Sequence, residues 1–295
     1  MAQEKWMLDG PRVIDIERVR TLKVSLIAGQ VDIVGHDEPG ARVEVHSVRG
    51  KALKVSIDGD TLEVDHPQLD WDNFIDVFAS VRGSASADVS IMVPRDVALK
   101  FGVVSASAFI SGLSGLTRTG LTRAGLTRAE KARISTVSGD VVVDNVRGDL
   151  ELNAVSGELS VRNHAGDVTA RTVSGDVTAS GEIRKFRSDS ISGKIFLDIT
   201  GIPEEAKIKT VSGDVTVRLA AGVAARYRIN TVAGKLQLDD SEITGIRGSY
   251  SGKYSGSYSG SYSGKYSDLD SHWLDFSAST VSGDVAVLHG ATVAR

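Results

Sequence analysis

The chain has 295 residues, of which 41% are hydrophobic and only 5% aromatic, and its formal net charge is −4. Small and β-branched side chains therefore carry the apolar content, which favours an all-β fold. The absence of cysteine excludes disulfides, thiolate metal sites and cysteine nucleophiles, and the mildly acidic balance makes nucleic acid an unexpected partner.

The N-terminal region shows no targeting signal. Residues 1–11 contain no basic segment followed by an apolar run, and no part of the chain approaches about 18 consecutive apolar residues. We predict an N-terminal tail over residues 1–11, one continuous domain over residues 12–295 and a cytoplasmic location. A peripheral membrane or membrane-protein partner remains an alternative.

A first insertion covers residues 115–129, where Gly-Leu-Thr-Arg followed by Thr or Ala occurs three times in succession. A repeat of this kind inside a regular β pattern indicates an excursion from one corner of the fold. Its basic side chains, Arg118, Arg123 and Arg128, are candidate interaction residues for an acidic partner surface.

The second half of the chain repeats a phrase of the form apolar-Ser-Gly-acid-apolar. Its copies begin at Val137, Val155, Val173, Ile191, Val211, Val232 and Val281. The first four are 18 residues apart, the next steps are 20 and 21, and the last gap is 49. This periodicity predicts a single-stranded, right-handed β-solenoid with coils of about 18–21 residues, whose inward aliphatic side chains form ladders.

Each phrase has the composition of a tight corner, since glycine can take the positive φ that such corners often need. The candidate corner residues are Gly139, Asp140, Gly157, Gly175, Asp176, Gly193, Gly213, Asp214, Gly234, Gly283 and Asp284. We expect the first residue of the phrase to point inward, so that Val173→Asp would place a carboxylate in the apolar ladder and destabilise the stack.

The corner acids raise the question of a metal site, because stacked carboxylates could supply oxygen ligands to calcium. However, Lys194 and Lys235 interrupt the column, and the calcium-binding nonapeptide has more glycines. Corner hydrogen bonding explains the acids better, so we predict no metal and no cofactor.

A second insertion covers residues 248–267, where Tyr-Ser-Gly alternates with Ser or Lys. Its low complexity and lack of aliphatic residues indicate a loop outside the core. The candidate interaction residues in this tract are Tyr250, Tyr254, Tyr258, Tyr262 and Tyr266.

The Thr-Val-Ser-Gly-Asp-Val phrases at Thr136, Thr172, Thr210 and Thr280, together with the Val-Pro-Arg element at Val93, resemble the bacterial putative-adhesin family, also called toastrack domains. The similarity covers about residues 12–288. The resemblance implies a solenoid associated with envelope-stress and transcription-linked gene systems, and it brings no catalytic residues to carry over.

No catalytic arrangement is visible in the sequence: the acids are evenly repeated, the six histidines lack metal-ligand spacing, and Ser-Gly-Asp is not a nucleophile elbow. We therefore expect a non-enzymatic structural or interaction scaffold that binds a protein partner or associates with itself. The alternative is a β-helix protein that binds or cleaves a carbohydrate or anionic polymer.

Overall fold

The structure is a computed structural model, and it describes residues 4–67, 85–114, 121–122, 125–126, 132–239, 241–243, 248–254 and 273–290. Over these residues the chain consists of strands and the turns between them. None of the described segments forms a helix long and apolar enough to cross a membrane. The chain divides into two compact units, Met1–Ser160 and Val161–Arg295.

The first unit contains the strands up to the start of β16. Their bounds are β1 (Glu4–Leu8), β2 (Arg12–Ile16), β3 (Thr21–Leu26), β4 (Ala28–His36), β5 (Ala41–Arg49), β6 (Leu53–Asp58), β7 (Thr61–Asp65), β8 (Ser86–Pro94), β9 (Ala98–Val103), β10 (Ser107–Ser111), β11 (Leu121–Thr122), β12 (Gly125–Leu126), β13 (Ala132–Thr136), β14 (Val141–Asp144) and β15 (Leu150–Ala154).

These strands form two ladders that change from antiparallel to parallel pairing. In one ladder β1 pairs with β6 and β6 with β7 antiparallel, and β7, β3, β9, β13 and β15 then continue in parallel. In the other, β2, β5 and β8 are antiparallel, and β8, β4, β10 and β14 are parallel. In both ladders, the parallel stacking of the solenoid thus begins after a set of antiparallel strands.

The N-terminal segment differs from the predicted tail over residues 1–11. Residues 4–8 form β1 and pair with β6 from Glu4↔Ile57 to Leu8↔Leu53. Leu8 is buried, so the segment contributes an apolar side chain as well as backbone hydrogen bonds. The expectation of one continuous domain over residues 12–295 stays a prediction alongside the two compact units.

The insertion at residues 115–129 leaves the register of the stack intact. Lys100 pairs with Arg133, 33 positions later, whereas Arg133 pairs with Glu151, 18 positions later. The difference of 15 positions equals the length of the insertion, so the described strands on either side of it stack as successive coils. Within the insertion, Leu121–Thr122 pairs antiparallel with Gly125–Leu126.

The second unit begins within β16 and contains the remaining strands. Their bounds are β16 (Leu159–Thr172), β17 (Val177–Ser190), β18 (Ile195–Ile199), β19 (Glu205–Lys209), β20 (Val215–Ala220), β21 (Ala225–Thr231), β22 (Leu236–Leu238), β23 (Ser241–Ile243), β24 (Gly248–Tyr254), β25 (Leu274–Thr280) and β26 (Val285–Gly290).

The coils of the second unit do not stack in chain order. β25 lies between β19 and β21, and β26 lies between β20 and β22, all in parallel. The last described coil, residues 274–290, is thus inserted between the coil of β19 and β20 and the coil of β21 and β22. In the sequence this coil comes last, after the coil whose phrase begins at Val232.

Antiparallel strands cover the outer edge of this unit. β24 pairs with β21 from Ala225↔Tyr254 to Thr231↔Gly248, and β23 pairs with β22. Residues 248–254 of the tract predicted as a loop form a strand instead; its described side chains are exposed or half-buried, and it supplies hydrogen bonds to a strand that would otherwise be an edge.

The inserted coil changes which charged side chains are neighbours: it separates Lys207 from Arg228, but it also places Asp275 beside Glu205. The step from Val211 to Val232 is 21 residues, so direct stacking would place Lys207 beside Arg228 at one strand spacing, about 4.8 Å. Like charges directly opposite each other destabilise a sheet. In the observed order Ser277 lies between Lys207 and Arg228.

The core consists of the inward-facing side chains of both ladders. In β25 Phe276 and Ala278 are buried and alternate with half-buried Asp275 and Ser277. Phe101, Phe186 and Phe276 are the largest completely buried side chains. The predicted all-β solenoid is confirmed.

Candidate interaction surface

The residue three positions before each corner glycine determines that glycine's conformation. Five corners have threonine there, whose Oγ1 accepts a hydrogen bond from the glycine N–H; the pairs are Thr136–Gly139, Thr172–Gly175, Thr210–Gly213, Thr231–Gly234 and Thr280–Gly283, at 2.9–3.1 Å. Ala154 and Ser190 replace threonine at two corners, and there Gly157 and Gly193 have φ of 126° and 119°. Among the seven corner glycines of the repeated phrase, only these two have positive φ.

Close approach between coils explains the other corner glycines. A Cβ added at Gly213, Gly283 or Gly234 would lie 1.9–2.0 Å from the carbonyl oxygen of the glycine in the adjacent coil. No side chain fits at such a distance, so the corners stack glycine on glycine, in the order Gly193, Gly213, Gly283 and Gly234.

The corner acids bind the backbone of the next coil. Asp176 Oδ1 accepts a hydrogen bond from the Lys194 N–H at 2.7 Å, and Asp284 Oδ1 accepts one from the Lys235 N–H at 2.7 Å. Asp214 accepts from the Asp284 N–H at 3.1 Å, and Asp140 accepts from the Glu158 N–H at 2.9 Å. Within the described ranges no group of three or more His, Asp or Glu side chains is arranged to hold a metal ion.

The first residue of the repeated phrase points outward in the second unit. Its five members are exposed, from 43% for Val173 to 62% for Val232; in stacking order they are Val173, Ile191, Val211, Val281 and Val232. We call this set the apolar column. The prediction that Val173 points into the core is wrong, because Thr172 takes the inward position.

Three corner positions of the first unit are buried, whereas a fourth, Val155, is 40% exposed. Ile27, Val104 and Val137 form an apolar cluster with Ala85, which lies just before β8, and Ala28 packs against it. Val137 is 6% exposed, whereas Val211 is 46% exposed. The fold therefore already buries this type of column against another part of the polypeptide at three positions.

A groove of about 490 Å³ runs beside the apolar column. Val281 and Val232 form one side, and Lys209, Ser279 and Asn230 lie on the other. The column thus borders a concave, partly polar surface.

The tyrosine tract is described only at its start. Tyr254 stacks on the ring of His289 with centroids 3.8 Å apart, and Asp239 accepts a hydrogen bond from the His289 N–H at 2.6 Å. Burial raises the pKa of Tyr227, whose hydroxyl lies 3.4 Å from His289 Nε2. Tyr250 also lies on β24. The other candidate interaction residues, Tyr258, Tyr262, Tyr266, Arg118, Arg123 and Arg128, lie outside the described residues.

The alternation of inward and outward residues along the strand before each corner could have identified the apolar column from the sequence. In β25 the buried residues are Leu274, Phe276, Ala278 and Thr280, so alternation carried through the strand places Val281 outside. Counting only from the glycine onward misses this, because the corner interrupts the alternation.

The chain is similar to several solved structures and matches one family model. Two of the similar solved structures are a "putative cell adhesion protein" from Clostridium sporogenes (13% identity, TM-score 0.27, 95% of this chain and 100% of that chain covered) and a "putative adhesin" from Bacteroides fragilis (10%, 0.37, 94% and 97%). A third is a "putative lipid binding protein" from Parabacteroides distasonis (10%, 0.33, 96% and 96%). No curated protein matches the chain. The Toastrack DUF4097 family model matches residues 21–288, and the chain therefore belongs to this family.

Proposed function

We propose that the protein is a non-enzymatic scaffold that binds an extended polypeptide segment of another protein through the apolar column. The observation that carries this proposal is the exposure of five stacked β-branched side chains in the second unit. Their column spans four strand spacings, about 19 Å. Contiguous apolar strips of this kind on a protein surface mark interaction sites.

The chemistry of the partner follows from the first unit. There Ile27, Val104 and Val137 are buried with Ala85 and Ala28, which are small apolar side chains contributed by the polypeptide itself. By analogy with that cluster, the matching partner for Val211, Val281 and Val232 is a segment with small apolar side chains.

The corner carboxylates support a role without catalysis. An acid or base in catalysis needs a carboxylate that is free to exchange a proton with a substrate. Asp140, Asp176, Asp214 and Asp284 each accept a backbone hydrogen bond from the adjacent coil, which is a structural use of the carboxylate.

Random-peptide display on the purified full chain tests the proposal. The test variant replaces Val211, Val281 and Val232 with serine, and the control variant replaces Val34 and Met92, exposed apolar residues of the first unit, with serine. We expect peptides rich in Ala and Val to bind the wild type and the control, and to lose binding to the test variant. The three substitutions should leave the melting temperature nearly unchanged, because exposed side chains contribute little to stability.

Two results would contradict the proposal. One is a set of peptides that binds the test variant as well as the wild type. The other is a concentration-dependent dimer, seen by light scattering and abolished only in the test variant, which would show that a second copy occupies the column.

A further inference from the structure

The insertion of β25 creates a second surface beside the apolar column. Ser277 has Lys207 on one side and Arg228 on the other, and Ser279 likewise lies between Lys209 and Asn230. All six side chains alternate with buried residues and face away from the core. We call these six residues the cationic trough.

The trough has the dimensions of an anion site. Lys207 and Arg228 are two strand spacings apart, about 10 Å between their Cα atoms, with only a serine side chain between them. A groove of about 660 Å³ is lined by Lys207, Ser277, Arg228 and Asn230, together with Lys185 and the carboxylates of Glu204, Glu205 and Asp275. Asn230 and Ser279 also line the neighbouring groove, so the trough continues along both serines.

Lys207, Lys209 and Arg228 are not held in short ion pairs by the described side chains, although the charge of Lys207 also acts on Glu205. Three acids also line the groove, and each has another partner: Glu204 lies 3.1 Å from Lys185, Glu205 binds Arg187 at 2.7 Å, and Asp275 lies 3.9 Å from Arg226. The hydrogen bond from Arg187 also lowers the pKa of Glu205, which keeps this pair charged on both sides.

We propose that the cationic trough binds tetrahedral oxyanions, sulfate or phosphate groups, carried on a linear polymer. Three cations supply charge, and the hydroxyls of Ser277 and Ser279 and the amide of Asn230 donate hydrogen bonds to the oxygen atoms. The open geometry of the groove favours a polymer. Water and salt screen the charges in an open groove, so a single oxyanion gains little binding energy there. Several linked oxyanions add their contacts within a single binding event.

The site goes beyond the proposed binding of a polypeptide and does not depend on it. Its residues lie on the strands, whereas the apolar column lies on the corners. Loss of one function should therefore leave the other measurable.

Fluorescence anisotropy with labelled dextran sulfate tests the inference, with uncharged dextran as the negative probe. The test variant is Lys207→Gln/Arg228→Gln in the full chain. The control variant is Arg12→Gln/Lys194→Gln, which removes the same charge from exposed positions outside the trough. We expect the test variant to bind about tenfold more weakly and to show a shallower salt dependence, and the control to bind within about threefold of the wild type.

Ser277→Asp provides a second variant, which places a negative charge inside the cationic trough. Its carboxylate would lie between Lys207 and Arg228, so we expect a higher melting temperature and loss of dextran sulfate binding. Competition by inorganic phosphate distinguishes the sources: displacement at millimolar phosphate would identify a site for single ions and contradict the polymer. Equal binding by the wild type and Lys207→Gln/Arg228→Gln, or unchanged binding by folded Ser277→Asp, would overturn the inference.

Discussion

Gly283 packs directly against Gly213, although 70 residues separate them in the sequence: a Cβ on Gly283 would lie 2.0 Å from the Gly213 carbonyl oxygen. The same distance separates a Cβ on Gly234 from the Gly283 carbonyl oxygen. These two contacts fix the inserted coil at its corner, and the apolar column and the cationic trough both depend on that insertion.

Gly283→Ala should destabilise the protein strongly. The added methyl group would contact backbone on a neighbouring coil, which cannot move without disturbing the next corner, so we expect a loss of about 2 kcal/mol or more in the free energy of unfolding. Urea denaturation measures it. Gly290→Ala is the control, because its nearest neighbour would be Leu219 O at 3.8 Å; equal losses in both variants would show that the close approach at the corner is not the cause.

Thr280→Val tests the corner hydrogen bond. Thr280 Oγ1 accepts from the Gly283 N–H at 2.9 Å, and Thr280 is buried. Valine has a similar shape but leaves that N–H unpaired, which costs about 1–3 kcal/mol. Thr280→Ser keeps the hydroxyl and should lose distinctly less stability by the same denaturation measurement. If valine were tolerated as well as serine, the hydrogen bond would not define this corner.

His66 should make stability depend on pH. The side chain is completely buried, Nδ1 accepts a hydrogen bond from the Ile27 N–H at 3.2 Å, and burial lowers the pKa of His66 from 6.5 to about 4. Between those values the unfolded chain binds a proton that the folded chain does not. Stability from this group is therefore complete above pH 6.5 and falls as the pH is lowered towards 4, by on the order of 3 kcal/mol.

His66→Asn separates this effect from general acid sensitivity. The asparagine Oδ1 can accept the same hydrogen bond without titrating, so the free energy of unfolding should fall less between about pH 7 and pH 5 than in the wild type. His46→Asn changes an exposed histidine and serves as the control. An unaltered pH dependence in His66→Asn would assign the effect to other groups.

The sequence was sufficient for the fold because one physical pattern repeats. Glycine at a constant spacing and aliphatic residues at alternate positions specify stacked coils, and the inward residues Val141 and Val143 are buried as the alternation predicts. The position of the last coil was harder to predict. The phrases at Val211 and Val281 are nearly identical, so the repeat alone does not distinguish stacking in chain order from the observed insertion.

The interaction surfaces were less predictable for the same reason. Predicting the apolar column requires following the inward–outward alternation of the strand into the corner, where Thr210 points inward and Val211 outward. Predicting the cationic trough requires knowing which residues lie beside Ser277, and these are 70 and 49 residues away in the sequence. Local composition instead directed attention to the arginine and tyrosine tracts.

Disulfide trapping tests the inserted coil most directly, because the protein has no cysteine of its own. Ala286 is the neighbour of both Thr216 and Gln237, which are themselves two strand spacings apart, about 10 Å. Cysteines at Thr216 and Ala286 should form a disulfide on mild oxidation, since adjacent strands bring their Cα atoms within the range of about 4.4–6.8 Å that a disulfide needs. Cysteines at Thr216 and Gln237 should not. A disulfide between positions 216 and 237, with none between 216 and 286, would show that the coils stack in chain order and would remove the basis for both surfaces.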